Sequence, residues 1–556
     1  MKALPNKNYI YSVIFILFIA ISILVILLPW GPIWITDNGN KYMIMRNYLT
    51  SGSCSFFSNV VELFPNGGFH FVQIGNLFKS FYPEHLPVFT AYLYKFFGEF
   101  ACSIPSILSS FLIVIFCFYY FPKYCRNLLT LLLIFTTPLL FYSTLLWEML
   151  PSCVFAILGL LLLKKEKFFL CGLTLGLGLW LREELYFLYG SIFLALLLTK
   201  QVKGAFLSCL AFIIAGSSLW TKELIVNGNI LGIHGANYLF NNRTEEFSLI
   251  SEVIGIFTNY YQHLIRFEVG GYYFKYLTIA VIIFSFILGS IKGNKNFLKT
   301  KIVTIYIASF MQLFLALKLF QYPSLSYATG VTMGLFTSIP TILGFLLNWR
   351  NLLLNKKQFI KLTSIYCFIY IIFVPTILTR FDIGLTWGPR HFMVILPQLL
   401  LLSYFSYASM GILSKNRKLL SLSVLAAVIM QLFSLYALYF VSHESSAFEK
   451  IVNQRKEKIV VSDIFFLPEQ TPRIFFNKKF YEVKDAKEVA ALINELKKNN
   501  EDEFLLILSK QFRKINDQDL KILLTIAPPS AQPEWFDVNG SGFMRLALTN
   551  CKIKRK

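Results

Sequence analysis

The chain has 556 residues, of which 56% are hydrophobic and 15% are charged, and its mean hydropathy is +0.59. A composition this apolar excludes an ordinary soluble globular protein, because apolar runs of about 20 residues, long enough to cross a bilayer, recur between residues 9 and 441. The formal net charge of +22 raises the question of nucleic-acid binding. The basic residues up to about position 440 instead cluster in short segments between apolar runs, which is the pattern of cytoplasmic loops in membrane proteins.

The alternation of apolar runs and basic clusters predicts a mainly α-helical, polytopic membrane protein of about 13 transmembrane helices with a cytoplasmic N-terminus. The first run lacks a small-residue cleavage site, so we interpret it as an uncleaved helix and not as a signal peptide. The approximate predicted spans are 9–29, 101–121, 128–146, 149–163, 168–181, 184–199, 204–220, 272–291, 302–320, 330–348, 361–379, 392–411 and 418–441.

A long first external loop, about 30–100, follows the first predicted helix. It contains Asp37, which is either part of an Asp-Asn-Gly turn in a solvated loop or an ionisable group with a function at the membrane edge. The apolar stretch 86–97 is too short to cross a bilayer, and we predict a helix that lies on the membrane surface. A divalent metal is possible but undecided, because the potential ligands in this loop match no known ligand spacing: Glu62, His70, Glu84 and His85.

Several ionisable residues lie within or at the edges of the later apolar runs, and the predicted topology places them on the same side of the membrane as Asp37. Such groups require a partner or a polar cavity. Arg390 is suited to phosphate because its guanidinium offers a planar fork of donors, although it could also extend to lipid headgroups. Arg182, next to Glu183, could bind an anion or form an internal ion pair. Glu148 could act in a site or simply end a helix.

Residues 442–556 have the mixed charged and apolar pattern of an aqueous domain. Stretches 458–462 and 503–509 predict buried strands, and 543–549 a closing strand. Asp485 and Glu488 have the spacing of a capping box that opens an amphipathic helix. We therefore predict a transmembrane domain at 1–441 and a small C-terminal α/β domain at 442–556, which an odd number of spans places outside the cytoplasm.

The order of these features resembles the GT-C class of glycosyltransferases, and most closely the bacterial protein O-mannosyltransferase-like and lipid A aminoarabinose transferase-like enzymes. Four stretches of the sequence carry the resemblance: 36–52, 87–98, 142–148 and 387–397, the last with Gly388-Pro-Arg-His391. The chain departs from the family pattern at three positions. Asn38 stands where a second acidic residue is usual, Glu148 where Asp is common, and His391 where an aromatic residue is common.

The resemblance implies a bacterial inner-membrane enzyme that transfers a hexose or pentose from a polyprenyl-phosphate carrier. The acceptor would be a lipid, a glycan or a protein at the periplasmic face, and the anomeric centre would be inverted. Asp37 would be the general base, since a partly desolvated carboxylate has a raised pKa and suits proton abstraction. Glu148 would be a second residue of the catalytic site, where it would orient the acceptor or help to hold a metal. The remaining candidates are Arg390, Arg182 and His391 for donor phosphate binding, and Glu84 and His85 for contacts with the acceptor or a metal.

Two other functions compete with this one. A polysaccharide polymerase or O-antigen ligase also uses polyprenyl-linked sugars, but such enzymes depend on a long external loop late in the chain. A transporter or flippase is expected to show inverted repeats and helices broken near the middle of the membrane, and the sequence contains no clear internal repeat. None of the three functions involves nucleic acid.

Overall fold

The computed structural model describes residues 8–29, 36–57, 71–74, 77–80, 82–230, 249–265, 272–291, 295–321, 334–377, 390–415, 417–464, 467–483, 485–509, 516–530, 532, 534–538 and 544–553. The chain forms two compact units, which are described separately. The membrane unit comprises the described parts of Met1–Ile26, Ile104–Tyr322 and Ala328–Tyr436. The sheet unit comprises the described parts of Leu27–Ser103 and Ala437–Lys556.

The membrane unit consists of helices and turns among the described residues. Its longer helices are Asn8–Leu27, Ile104–Tyr120, Arg126–Thr136, Met149–Lys164, Phe168–Gly178, Glu184–Leu198, Val202–Asn227, Leu249–Tyr260, Tyr272–Ser290, Lys295–Gln321, Gln358–Ile377, Leu396–Ser409 and Arg417–Gln454, the last of which continues into the sheet unit. Its shorter helical segments are Leu139–Tyr142, the π-helical turn Tyr261–Ile265, Leu335–Ser338, Pro340–Ile342, Leu343–Leu346, Trp349–Leu353, Arg390–Ile395 and Ile412–Lys415.

Within the described residues, six helices are long and apolar enough to cross a membrane, or seven if the two helices on either side of Ser103 form one bent span. Five further apolar helices have only 10–17 residues. The chain is therefore a polytopic membrane protein, as its composition predicts, while the count of 13 spans stays a prediction.

Proline breaks two of the spans that the hydropathy pattern predicts as continuous helices. In 128–146 the helix ends at Thr136, just before Pro138, and in 330–348 the described part contains three short segments around Pro340. The prediction of one uninterrupted helix is wrong in both stretches, because proline lacks the N–H that continues a helix and hydropathy does not register this. At the second break, the Gln312 amide donates to the carbonyl oxygens of Phe336 and Thr337 at 3.0 and 2.6 Å.

Glycines determine how closely two helices of the membrane unit approach. A Cβ on Gly172 would lie 2.0 Å from the carbonyl oxygen of Ser208, and a Cβ on Gly176 would lie 2.7 Å from that of Phe212. These two glycines are four residues apart on the helix Phe168–Gly178, the spacing at which small residues allow membrane helices to pack backbone against backbone. The helices Phe168–Gly178 and Val202–Asn227 are accordingly in extensive contact.

The N-terminal part of the sheet unit begins with the helix Thr36–Ser51, followed by Gly52 with φ of 71°. Strands β1 (Phe56–Phe57), β2 (Phe71–Ile74) and β3 (Leu77–Ser80) form an antiparallel sheet in the order β1-β3-β2. The predicted short helix is confirmed as His85–Phe97, and it ends at Gly98 with φ of 56°, a conformation that favours glycine. A 3₁₀ turn, Gly98–Cys102, follows.

The C-terminal part of the sheet unit contains a five-stranded mixed sheet in the order β5-β4-β6-β8-β7. Its strands are β4 (Ile459–Ser462), β5 (Lys479–Glu482), β6 (Glu503–Ser509), β7 (Glu534–Val538) and β8 (Met544–Lys552), and its helices are Leu467–Gln470, Ala486–Lys498 and Asp517–Ile526. The predicted strands at 458–462 and 503–509 are confirmed, as is the closing strand. The predicted cap is also present, because Asp485 accepts a hydrogen bond from the Glu488 amide.

Candidate functional site

Asp37 lies in the first turn of the helix Thr36–Ser51, and only 5% of its surface is exposed. The alternative of a solvated Asp-Asn-Gly turn is therefore wrong, and the helix N-terminus favours a negative charge at this position. The Tyr82 hydroxyl donates to Asp37 Oδ1 at 2.5 Å. Lys41 is one helical turn after Asp37 and fully buried, and its Nζ lies 4.3 Å from the centre of the Tyr82 ring. Asp37 is thus a buried acid with a phenol donor, on a helix face that also carries a buried cation.

Hydrogen bonds fix the backbone that presents Tyr82. Ser80 Oγ accepts from the Tyr82 amide at 3.0 Å and donates to Asn40 Oδ1 at 2.7 Å. The Asn40 amide in turn donates to Glu469 Oε1 at 3.3 Å. Because Asn40 lies on the same helix as Asp37, the phenol and the carboxylate are held by one connected set of contacts.

In the membrane unit, Glu184 is the centre of a buried ionic cluster. It begins the helix Glu184–Leu198, and both of its carboxylate oxygens accept from Arg182, with Arg182 Nε 2.8 Å from Oε2. His391 Nδ1 is 2.8 Å from Glu184 Oε1. The side chains of all three residues are at most 12% exposed. Arg182 therefore forms the internal ion pair considered as its alternative role, with Glu184 as the acid.

The hydrogen bonds determine the protonation state of His391. Arg390 Nε is 3.1 Å from His391 Nε2, and an arginine Nε–H can only donate. His391 Nε2 must therefore accept, which assigns the neutral ring with its proton on Nδ1, donated to Glu184. The cluster thus contains two guanidinium groups, one carboxylate and a neutral imidazole.

Two further aromatic residues hold His391, and neither is recognisable in the sequence as a site residue. The Tyr370 hydroxyl, from the helix Gln358–Ile377, donates to the His391 carbonyl oxygen at 2.6 Å. The ring of His263 contacts the His391 ring edge to face, with 5.3 Å between centroids. His263 lies in the π-helical turn Tyr261–Ile265, and such turns are often found at functional sites. The cluster thus joins four separate segments of the membrane unit.

Glu148 is buried immediately before the helix Met149–Lys164, with 4% of its surface exposed. That helix packs against the turn Arg390–Ile395, which carries Arg390 and His391. A solvated residue at a helix end would be exposed, so the burial of Glu148 favours a role inside the membrane unit over that alternative.

The remaining candidates lie in the first loop. Glu84 and His85 form the start of the helix His85–Phe97 and are both partly exposed, while Glu62 and His70 lie outside the described residues. In the part of the chain that the structure describes, no three His, Cys, Asp or Glu side chains gather in a group that could hold a metal ion.

The structure therefore brings Arg182, Arg390 and His391 together in the membrane unit, and places Asp37 in the sheet unit with Tyr82 and Lys41. Sequence reasoning missed Glu184 as the acid of the cluster, since Glu183 and Glu184 are indistinguishable by composition. It also missed Tyr82. The only signal for Tyr82 in the sequence was its position directly before Pro83-Glu84-His85, where a helix begins.

The chain matches no protein-family model and no curated protein sequence. Among solved structures it is similar to ArnT from Cupriavidus metallidurans bound to undecaprenyl phosphate, with a TM-score of 0.51 and 11% identity over 98% of each chain. It has the fold of ArnT. The apo state of ArnT gives a TM-score of 0.51 with 12% identity, over 96% of this chain and 97% of that one. The Archaeoglobus fulgidus oligosaccharyltransferase in its apo form gives 0.45 with 11% identity, over 90% of this chain and 70% of that one.

ArnT is a GT-C glycosyltransferase, so the resemblance inferred from the four sequence stretches is confirmed at the level of the fold. With identity this low, the likeness concerns the fold, and the chemistry has to be argued from the residues of this chain.

Proposed function

We propose that the protein is a glycosyltransferase that moves a sugar from a polyprenyl-phosphate carrier to a hydroxyl-bearing acceptor. The observation that carries the proposal is the cluster of Arg182, Glu184, Arg390 and His391, in which hydrogen bonds hold two guanidinium groups in place. A guanidinium offers a planar fork of charged donors that matches the oxygens of a phosphate. In a protein with the fold of ArnT, one of whose structures contains undecaprenyl phosphate, the phosphate of a lipid carrier is the natural anion.

Arg390 is the proposed phosphate ligand. His391 accepts from Arg390 Nε, and Glu184 and Tyr370 in turn hold His391. Both ring nitrogens of His391 are thereby occupied, so we assign His391 the task of orienting Arg390. Arg182 donates two hydrogen bonds to Glu184 and supplies the second positive charge. A guanidinium held in this way presents phosphate oxygens with a fixed, charged donor.

Asp37 is the proposed general base. It would accept the proton of the acceptor hydroxyl as that oxygen attacks the anomeric carbon from the side opposite the phosphate. The bond between the anomeric carbon and the phosphate oxygen breaks in the same step, which inverts the anomeric centre and leaves the polyprenyl phosphate. Arg390 would stabilise the negative charge that develops on this phosphate. Glu148 would be a second acidic group of the reaction, and Glu84 and His85 would contact the acceptor or a divalent metal.

The proposal also includes several features that the sequence predicts. They are a bacterial inner-membrane location, 13 spans, a cytoplasmic N-terminus, and a C-terminal domain that lies at the periplasmic face, where the reaction takes place. The transferred group would be a hexose or a pentose, and the acceptor a lipid, a glycan or a protein. The positive charge of the basic segments between apolar runs supports the orientation.

The proposal is tested with the purified full-length protein in lipid nanodiscs. Undecaprenyl-phosphate hexoses and pentoses labelled in the sugar are supplied together with cell-envelope lipids, glycans and proteins as acceptors. We expect label to move to one acceptor class and Asp37→Asn to reduce this transfer by about 100-fold or more, because the amide cannot accept the proton.

A matched control is Asp485→Asn, the same chemical change at the exposed cap of the helix Ala486–Lys498, where asparagine caps equally well. It should transfer sugar at the wild-type rate. An Asp37→Asn protein that is fully active would remove Asp37 from the mechanism, and the absence of transfer from every donor by the wild type would contradict the proposed function.

A further inference from the structure

The helix that carries Asp37 is part of the hydrophobic core of the C-terminal sheet. Met43, at the middle of the helix, is 1% exposed and belongs to one cluster with apolar side chains from β4, β6 and β8 and from the end of the helix Arg417–Gln454. Representative members of this cluster are Val460, Leu505, Leu546 and Phe448. The helix Thr36–Ser51 and the C-terminal sheet thus share buried surface, although more than 400 residues separate them in the sequence.

A close backbone approach fixes the position of the helix along this surface. A Cβ built on Gly39 would lie 1.6 Å from the carbonyl oxygen of Glu469, in the short helix Leu467–Gln470. Only glycine permits this separation, because the obstacle is backbone and cannot rotate away. The adjacent Asn40 donates to the Glu469 side chain at 3.3 Å. Asp37 is therefore two residues from a point where its helix touches the backbone of the C-terminal part of the unit.

A second contact comes from Arg473. Its NH1 is 2.5 Å from Glu449 Oε2, its Nε is 3.5 Å from Glu99 Oε2, and its backbone amide donates to Glu449 Oε1 at 3.1 Å. Glu99 accepts in addition from the hydroxyl of Tyr42, a residue of the Asp37 helix. Arg473 also lies over the Tyr42 ring, 6.0 Å from its centre. One arginine thus joins the long helix, the 3₁₀ turn after His85–Phe97 and the helix that carries Asp37.

The protonation states are those that these hydrogen bonds need. Burial and the Glu99 carboxylate raise the pKa of Tyr42, so the phenol keeps its proton and donates it. Burial disfavours the charge on Arg473, but Glu449 and Glu99 outweigh it and raise its pKa. The same helix contributes Arg46, whose NH1 donates to the Tyr94 hydroxyl at 2.8 Å, and Tyr94 donates to Glu99 at 2.9 Å.

We propose that Arg473 is a positioning residue, through which the C-terminal sheet holds the Asp37 helix in the register that the reaction needs. The C-terminal sheet would thus have a structural role in positioning Asp37. The mechanistic part of the inference rests on the proposed function, whereas the structural part concerns the Asp37 helix alone.

The test compares Arg473→Gln and Arg473→Lys with the wild type, each as the full-length protein in nanodiscs. Hydrogen exchange followed by mass spectrometry reports the amides of the helix Thr36–Ser51 separately from those of Glu184–Leu198 in the membrane unit. For Arg473→Gln we expect exchange about tenfold faster in the first helix and unchanged exchange in the second, since charge-assisted hydrogen bonds are lost only around the first. Arg473→Lys retains the charge and should restore part of the protection.

In the transfer assay, Arg473→Gln should lower kcat, by up to about 100-fold, and leave the KM for the undecaprenyl-phosphate sugar unchanged. Arg473→Lys should recover part of kcat. Arg455→Gln is the matched control, because Arg455 pairs with Glu534 at the exposed edge of the same sheet. If Arg473→Gln does not fold, Glu99→Gln removes the opposite charge with no change of side-chain shape and gives the same test.

Wild-type exchange and wild-type kcat in Arg473→Gln would overturn the proposal, as would faster exchange spread equally over both helices, which indicates general destabilisation. The two proposals fail in different ways. A wild-type protein that transfers no sugar contradicts the proposed function, and the exchange comparison still decides whether Arg473 holds the helix.

Discussion

Each unit contains a group of ionisable side chains joined by hydrogen bonds, and the two groups differ in what their arginines contact. In the sheet unit, Arg473 contacts the carboxylates of Glu449 and Glu99, and Tyr94 links Arg46 to Glu99. In the membrane unit, Glu184 contacts Arg182 and the neutral His391, and His391 in turn accepts from Arg390.

We interpret this difference as that between a structural network and a binding site. Arg473 contacts carboxylates from two other segments, so its role is to hold segments together. Arg390 donates to a neutral histidine, which orients the guanidinium without neutralising its charge, an arrangement suited to binding an anion. We accordingly assign anion binding to the Glu184 cluster and positioning to the Arg473 network.

The largest expected effect comes from removing the carboxylate of the Glu184 cluster. Glu184→Gln takes from Arg182 and His391 the buried carboxylate that both contact, which should lower the free energy of unfolding by about 3–5 kcal/mol. An SDS titration from mixed micelles measures this loss for the membrane unit. Undecaprenyl phosphate should stabilise the variant less than the wild type, since His391 loses the charged acceptor that holds it and then orients Arg390 less well.

The adjacent acid provides the control for this prediction. Glu183→Gln changes the same chemical group one residue earlier and leaves both Arg182 bonds to Glu184 intact. Its unfolding should stay close to that of the wild type. Equal destabilisation by the two variants would contradict the central place given to Glu184.

A smaller effect is expected from Arg390→Lys, which keeps the positive charge but removes the Nε–H that His391 accepts. Lysine is a flexible point charge without the planar fork, so binding of undecaprenyl phosphate should weaken by about tenfold. A titration of purified protein in detergent measures this, with Arg350→Lys as control, because Arg350 is exposed and donates to the Ser290 carbonyl oxygen. Unchanged binding by Arg390→Lys would show that charge alone, and not orientation, matters in this cluster.

The sequence predicts features that depend on local pattern. The apolar runs, the capping box at Asp485, the strands around the C-terminal core and the short helix that ends at Gly98 follow from periodicity and from residue-specific backbone preferences. Arg390 and His391 could be found because they lie side by side in one motif. Pro138 and Pro340 each lie in an apolar run long enough to cross a membrane, and hydropathy alone predicts an unbroken helix in such a run.

Pairings between distant segments could not be predicted. Arg473 looks like any solvated arginine of an aqueous domain, and only the folded chain brings it to Glu99 and Glu449. The glycine after Asn38 is read in the sequence as a turn signal, whereas the structure uses it inside a helix, for its contact with the Glu469 backbone. The same signal, Asp-Asn-Gly, therefore had two physical explanations, and the choice depended on a segment more than 400 residues away.

The smallest expected effect concerns Tyr82, which donates to Asp37 and thereby stabilises its charged form. Tyr82→Phe removes the hydroxyl and keeps the ring beside Lys41, so the acidic limb of the pH profile of kcat/KM should move about one unit higher. At a pH well above that limb, the variant should approach the wild-type rate, because Asp37 is then ionised in both proteins. Tyr48→Phe serves as control, since Tyr48 lies on the same helix and its hydroxyl contacts Tyr92 at the surface. An equal loss of rate at every pH would mean that Tyr82 serves the site through packing and not through the charge of Asp37, and the acidic limb would then have to be assigned to another group.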